Sequence, residues 1–237
     1  MNEKMKETVT GKNSIPERGH GLREDDILAY SPSDQVQIAI QENKDAIPWT
    51  NTQQHALAWN LLAHVLAYDG SWQELEAQTV REEKGKPYLP GSSLQFNLSH
   101  CSQAVAVICA PVPAGIDIER IRPYREKLAR RICHPREWEL FEKLTEEKDK
   151  EKLFSRIWSR KESLLKAGGE GLSVNLQTVL VWDEAQEKAE ILSENKGADW
   201  SASACPGHSG AGYTFFEKTT EKWTCCAAVQ QIPSRHP

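Results

Sequence analysis

The stretch Gly115-Ile116-Asp117-Ile118-Glu119 constrains this chain more than any other, because its alternation defines a strand with one apolar face and one acidic face. Ile116 and Ile118 fall on one side, Asp117 and Glu119 on the other. Residues two apart on a strand share a face at a spacing of roughly 6.5–7 Å, so both carboxylates can reach one cation. A second stretch, Trp158-Ser159-Arg160-Lys161-Glu162-Ser163-Leu164-Leu165-Lys166, reads as a helix. Trp158, Glu162 and Lys166 then lie at i, i+4 and i+8 on one stripe. Three carboxylates and a lysine can meet around one hard metal ion and a phosphate. Magnesium takes oxygen ligands in octahedral geometry and usually only a few carboxylates, leaving positions for water and a substrate phosphate.

Simpler readings stand beside this one. Taken alone, the strand is also a half-buried edge with a solvated face. Glu162 and Lys166 alone are also an exposed i,i+4 ion pair.

The rest of the chain predicts an α+β architecture. Residues 1–25 are rich in charge, glycine and proline and are expected to be disordered. Gln53–Tyr68 reads as a helix with Leu57, Leu61, Leu62, Val65 and Leu66 on one face. Strands are expected at 77–82, 94–98, 103–109 and 114–119. Helices follow at 125–132, 135–147 and 150–167, then strands at 175–182, 188–193, 211–217 and 223–230. Helices followed by strands, twice over, predict two similar subdomains, 26–120 and 121–237. No residue-level repeat relates the two halves.

Charge and cysteine usage narrow the function classes. A net charge of −5 over 237 residues excludes wholesale affinity for nucleic acid or membrane surfaces. Cysteines 101, 109, 133, 205, 225 and 226 form no CxxC pair and no His/Cys ligand spacing. They read as reduced thiols of a cytoplasmic protein. The start of the chain has no apolar segment of the kind that opens a secretory signal, and no run approaches a membrane span. Arg120, Arg122, Arg125, Lys127, Arg130, Arg131 and Arg136 form a basic stretch in a chain that is acidic overall.

Four blocks in order carry a resemblance to a known family. They are Gly85-Lys86-Pro87, Phe96-Asn97-Leu98-Ser99-His100, the Gly115–Glu119 strand, and Trp158–Lys166 continuing into Gly169-Glu170-Gly171-Leu172. Together they resemble the 4′-phosphopantetheinyl transferases, in particular the longer, surfactin-synthetase-activating (Sfp-like) type. The resemblance implies a pseudo-dimer of two α+β subdomains with the active site in the cleft between them. It implies transfer of the 4′-phosphopantetheine arm of coenzyme A to a serine of an apo acyl or peptidyl carrier protein, with release of 3′,5′-ADP. A degenerate homologue that binds carriers without modifying them, or another magnesium-dependent phosphotransfer enzyme, are the alternatives. The two-half length implies a monomer.

Site roles follow from the same resemblance. Asp117, Glu119 and Glu162 are expected to hold Mg2+, with Mn2+ an alternative. Lys166 is expected near the phosphates as a catalytic cation. Glu137, in His134-Pro135-Arg136-Glu137-Trp138, matches an acid proposed elsewhere as the base for the carrier serine, with Glu162 or a metal-bound water as alternatives. As an isolated feature Glu137 is also a first-turn helix acid after Pro135. Lys86, Pro87, Ser99, His100, Asp117, Lys161 and Lys166 are expected to contact coenzyme A. Lys161 reads equally as a solvated helix lysine, and His100 as a surface or packing residue.

The first third departs from the family pattern. Asp25–Asn51 is acidic, and the helix opens Gln54-His55-Ala56 where relatives carry an arginine. His55 is the candidate substitute at the 3′-phosphate. The basic stretch between the two acidic blocks is the candidate docking face for an acidic carrier protein.

Overall fold

The computed structural model describes Leu22 and residues 24–169, 174–182, 200–204 and 212–231. Its first sheet has the order β1-β2-β6-β5, from β1 (Ile27–Ser33), β2 (Val36–Glu42), β5 (Gln95–Cys101) and β6 (Ala104–Ala110). The second has the order β7-β10-β9-β8, from β7 (Ala114–Arg120), β8 (Ser201–Ala204), β9 (Tyr213–Thr219) and β10 (Trp223–Gln230). All pairings are antiparallel. A two-stranded ribbon, β3 (Val80–Arg81) with β4 (Pro87–Tyr88), lies between β2 and β5 in sequence. The helices are α1 (Asn51–Val65), α2 (Trp72–Ala77), α3 (Glu126–Ile132), α4 (Pro135–Lys143) and α5 (Glu147–Gly168). The mixed α+β class expected from the sequence is what the chain adopts.

Strand alternation builds the layers. On β6, Val105, Val107 and Cys109 pack with Leu57, Leu61 and Leu62 of α1. Ala104, Ala106, Ile108 and Ala110 of the same strand pack with Ile116 and Ile118 of β7 and Trp223, Cys225 and Ala227 of β10. The other face of β10, with Cys226 and Ala228, packs with Ile157, Leu164 and Ala167 of α5. The order through the molecule is helix, sheet, sheet, helix. Strands covered on both faces read as continuous apolar runs, and every residue of β6 is buried.

The two halves share one connectivity. In the first, β2 leads through α1 to the hairpin β5–β6, and β6 returns to pair with β2. In the second, β7 leads through α5 to the hairpin β9–β10, and β10 returns to pair with β7.

Local signals set the helix ends. Thr50 and Gln53 form a capping box at α1, and Ser71 and Glu74 form one at α2. His134 caps α4 ahead of Pro135, with Glu137 closing the box. Helix α5 stops at Gly169, whose φ of 66° is the left-handed conformation that glycine adopts without Cβ strain.

The structure departs from the sequence reading in several places. The hairpin β1–β2 was not expected. The capped helix α2 occupies the start of the strand expected at 77–82, leaving only Val80–Arg81 as strand. Residues 175–182 were read as a strand. They carry a 3-10 turn at Leu176–Thr178, because Asn175 accepts from the Gln177 amide and starts it. β7 was placed at the end of the first half; it pairs with β10 and so belongs to the second sheet. The strand expected at 188–193 and nearly all of the segment 1–25 lie outside the described residues. Among the described residues, no helix is long and apolar enough to cross a membrane. The five described cysteines are free and buried; burial pushes the Cys109 and Cys133 thiols up to about 12, so neither is a ready nucleophile.

Candidate active site

The site forms where β7 lies against α5. Gly115 is what allows them to meet: a Cβ built there would stand 2.2 Å from the Ser163 carbonyl oxygen and 2.3 Å from the Ala167 nitrogen. Helix backbone therefore rests directly on strand backbone, as happens where one partner lacks a side chain. Asp117, two residues on, shares that face, and Lys166 reaches back to it with Nζ 2.7 Å from Oδ1. Lys166 also donates to Ser99 Oγ and to the Ile116 carbonyl, each at 3.2 Å. Ser159 donates to the Asp117 carbonyl at 3.1 Å, a further tie between helix and strand.

The three acids sense one another. Burial raises the pKa of the Glu162 carboxyl, and the charges of Asp117 and Glu119 raise it further against the opposing pull of Lys166. Burial and the Asp117 charge likewise raise that of Glu119, opposed by Arg122, Lys166 and Arg120. Two buried oxygens, Asp117 Oδ2 and Glu162 Oε1, have no hydrogen-bond partner. Unpartnered buried carboxylate oxygens are costly and normally mark an ion or ligand. Among the described residues, no three His, Cys, Asp or Glu side chains are gathered into a ready-made ligand set. Lys166 is drawn onto Asp117, and Arg122 is drawn onto Glu119 at 3.1 Å. The donor chemistry suits a hard, oxygen-seeking cation, and the two orphaned oxygens are where such a cation would be coordinated.

Several expected cofactor contacts are engaged within the protein. Lys86 donates to the Ala114 carbonyl at 3.2 Å and the Ala167 carbonyl at 3.0 Å, pinning the ribbon to the start of β7 and the end of α5. Burial lowers its pKa, partly offset by Glu82. Pro87 is buried in β4 opposite Arg81. His100 is the penultimate residue of β5 and its Nδ1 lies 3.0 Å from Gln54 Oε1, while Gln54 Nε2 donates to the Trp49 carbonyl. Partial burial lowers the His100 pKa, and the neighbouring His55 and Lys166 lower it further. His55 itself is paired with Glu76 at 3.1 Å. The side chain that meets His100 is thus Gln54, a position the sequence reading gave no role.

Two expected site residues are elsewhere. Glu137 and Lys161 are both fully buried and form an ion pair at 2.8 Å. Glu137 Oε2 also accepts from the His134 amide and Oε1 from the Val181 amide. Lys161 donates to the carbonyls of Ile132, Leu176 and Val179. The pair ties α3, α4 and the 176–181 segment to α5. Glu137 has no oxygen exposed to a substrate hydroxyl, and the donors of Lys161 are spent inside the fold. The helical period sets this direction: Lys161 precedes Glu162 by one residue and so points about 100° away from it.

Beside the acids runs a groove of about 380 Å³ lined by Glu119, by the arginines 120, 122 and 125, and by the apolar Leu128, Phe154 and Trp158.

The family model described as the 4′-phosphopantetheinyl transferase superfamily matches residues 113–228, the segment from β7 to β10 that contains all three acids and Lys166. Over that segment the chain is similar to this superfamily. It is 42% identical to the 4′-phosphopantetheinyl transferase HetI of Nostoc sp. over a stretch covering 39% of this chain and 41% of that protein. It is 35% identical to the 4′-phosphopantetheinyl transferase Sfp of Bacillus subtilis, over 46% of this chain and 50% of the relative. With a putative 4′-phosphopantetheinyl transferase of Haemophilus influenzae it shares 33% identity, over 55% and 57% of the two chains. The chain spans about half the length of the curated relatives it matches. The matched segment is the one that carries Asp117, Glu119, Glu162 and Lys166.

Proposed function

We propose that this protein transfers the 4′-phosphopantetheine arm of coenzyme A to a serine of an apo acyl or peptidyl carrier protein, releasing 3′,5′-ADP. The observation that carries the reading is the pair of orphaned, buried oxygens, Asp117 Oδ2 and Glu162 Oε1, inside the segment shared with named transferases. Asp117, Glu119 and Glu162 would hold a magnesium or manganese ion. When bound, such an ion neutralises a diphosphate and makes its phosphorus more electrophilic.

The chain's own residues supply the rest. The serine oxygen forms a bond to the pantetheine-side phosphorus, the phosphorus–oxygen bond to 3′,5′-ADP breaks, and the serine proton needs an acceptor. With Glu137 sealed inside, Glu162 or a water held beside it is the acceptor at hand. Lys166 stands beside Asp117 and supplies positive charge where the leaving 3′,5′-ADP takes up negative charge. Phosphoryl transfer of this kind rests on positioning and charge stabilisation more than on covalent help.

The groove beside Glu119 is the path by which the carrier presents its serine. Its arginines and apolar residues complement an acidic helix with exposed leucines or methionines. The shared connectivity of the two halves supports the pseudo-dimer arrangement, and a single chain that provides both sides supports a monomer. Free, buried cysteines support a cytoplasmic location.

The test is to incubate the protein with MgCl2, coenzyme A and an apo carrier domain, and to weigh the carrier. A gain of one phosphopantetheine arm, lost in Asp117→Ala and Glu162→Ala, is expected. No gain with fatty-acid, polyketide or nonribosomal-peptide carriers would refute the proposal, and coenzyme A binding without transfer would mark a carrier-binding homologue.

A further inference from the structure

Among the described residues, β7 has a pairing strand on one side only. β10 satisfies that side, with Ile116 opposite Ala227 and Ile118 opposite Cys225. On the other edge the amides of Ile116 and Ile118 point into the interior, where an unpaired N–H is costly. No strand takes them. Instead Asn97 Oδ1 accepts from the Ile116 amide at 3.0 Å and Ser99 Oγ from the Ile118 amide at 3.2 Å. Asn97 is 6% exposed and Ser99 7%. Both sit on β5, two residues apart, while the alternate positions Phe96 and Leu98 face the α1 side. The two-residue period of β5 thus meets the two-residue period of β7, and a slip of either strand by one residue would break both bonds.

Ser99 does more than close an edge. A hydroxyl has one donor and two acceptor sites. Ser99 donates to Asp117 Oδ1 at 3.1 Å and accepts from the Ile118 amide and from Lys166 Nζ. All three sites are used inside the protein, which leaves none for a ligand phosphate. The resemblance placed Ser99 among the coenzyme A contacts; its bonds give it a different task.

We propose that Asn97 and Ser99 are positioning residues: they lock the first sheet to the free edge of β7, and Ser99 orients Asp117 and Lys166 for the reaction. The kinetic part of this inference rests on the proposed transferase activity, while the locking part does not.

Both parts are tested on the full chain. Backbone amide exchange in Ser99→Ala should accelerate at Ile118, about tenfold for one lost hydrogen bond, and stay unchanged at Ile116. Asn97→Ala should give the reverse pattern. In transfer assays Ser99→Ala should lower kcat about 10–100-fold, since small misplacements of reacting groups are costly. Coenzyme A affinity, measured by calorimetry, should change by less than about threefold, no ligand hydrogen bond being lost. Ser99→Thr, which keeps the hydroxyl, should recover most of the rate. A loss of coenzyme A affinity at unchanged kcat would make Ser99 a ligand contact and overturn the proposal. Wild-type exchange at Ile118 in Ser99→Ala would overturn the lock. If Ser99→Ala fails to fold while Ser99→Thr folds and turns over, the requirement for the hydroxyl stands. A wild-type protein that transfers nothing would sink the transferase reading alone, because the exchange pattern still decides the lock.

Discussion

Gly115→Ala is the substitution whose effect can be worked out most directly. The added methyl carbon would lie 2.2 Å from the Ser163 oxygen, 2.3 Å from the Ala167 nitrogen and 2.8 Å from the Lys166 carbonyl carbon, where ordinary contact begins at 3.4 Å. All three are backbone atoms, so no side chain can rotate aside. Helix α5 must withdraw from β7 by about 1 Å or the strand must buckle, an overpacking cost of about 1–3 kcal/mol. For a chain of this size that lowers Tm by roughly 2–4 °C per kcal/mol, hence about 2–12 °C in total. Activity should suffer far more. Glu162 and Lys166 ride on the displaced helix while Asp117 stays on the strand, so the 2.7 Å Lys166–Asp117 contact opens. A 1 Å misplacement at a reacting centre costs about 100-fold in rate. Carrier loading by mass spectrometry, run well below the variant's Tm, reads the second effect, and thermal melting reads the first. A variant with near-wild-type loading and Tm would refute the backbone contact and with it the geometry of the site.

Other substitutions probe the remaining groups. Glu162 has a raised carboxyl pKa in the fold, so its ionisation destabilises the protein as pH rises above the usual 4.5. Glu162→Gln should therefore melt higher than wild type at pH 7 without divalent ions, with the gap closing as pH falls towards 4.5, while transfer is lost; a lower Tm at pH 7 would contradict this. Glu137→Ala strands the buried Lys161 ammonium and should cost about 3–5 kcal/mol, seen as a large drop in Tm. At temperatures where it stays folded its pH–rate profile should keep the wild-type shape; loss of the acid limb would reinstate Glu137 as base. Arg130 stacks over Trp138 at 3.9 Å, so reversing its charge would mix packing with steering. Arg125→Glu with Lys127→Glu is the cleaner pair: carrier KM should rise steeply at low salt with coenzyme A affinity intact, and unchanged carrier kinetics would remove the docking face.

Residue periodicity alone specifies which side chains share a face. Alternation put Ile116 and Ile118 in the core and Asp117 on the helix side, and the 3.6-residue period put Glu162 and Lys166 on one stripe. It located β10 at Trp223–Gln230 and the starts of α3 and α4 to within a residue. These are local properties, set by backbone geometry within a few residues. Only the tertiary structure decided what covers each face. Val36–Glu42 is held as strand β2 by pairing with β6, more than sixty positions later. β7 joins the second sheet because its hydrogen-bonding partner arrives at the end of the chain. Asn97 and Ser99 read as ordinary polar positions until β7 presents two amides to them. Glu137 and Lys161 carry the charges expected of a reactive pair, but they face the interior, where five backbone groups and each other satisfy them. Periodicity specifies direction, whereas partners at long sequence separation specify environment, and the chemistry of a charged group depends on its environment.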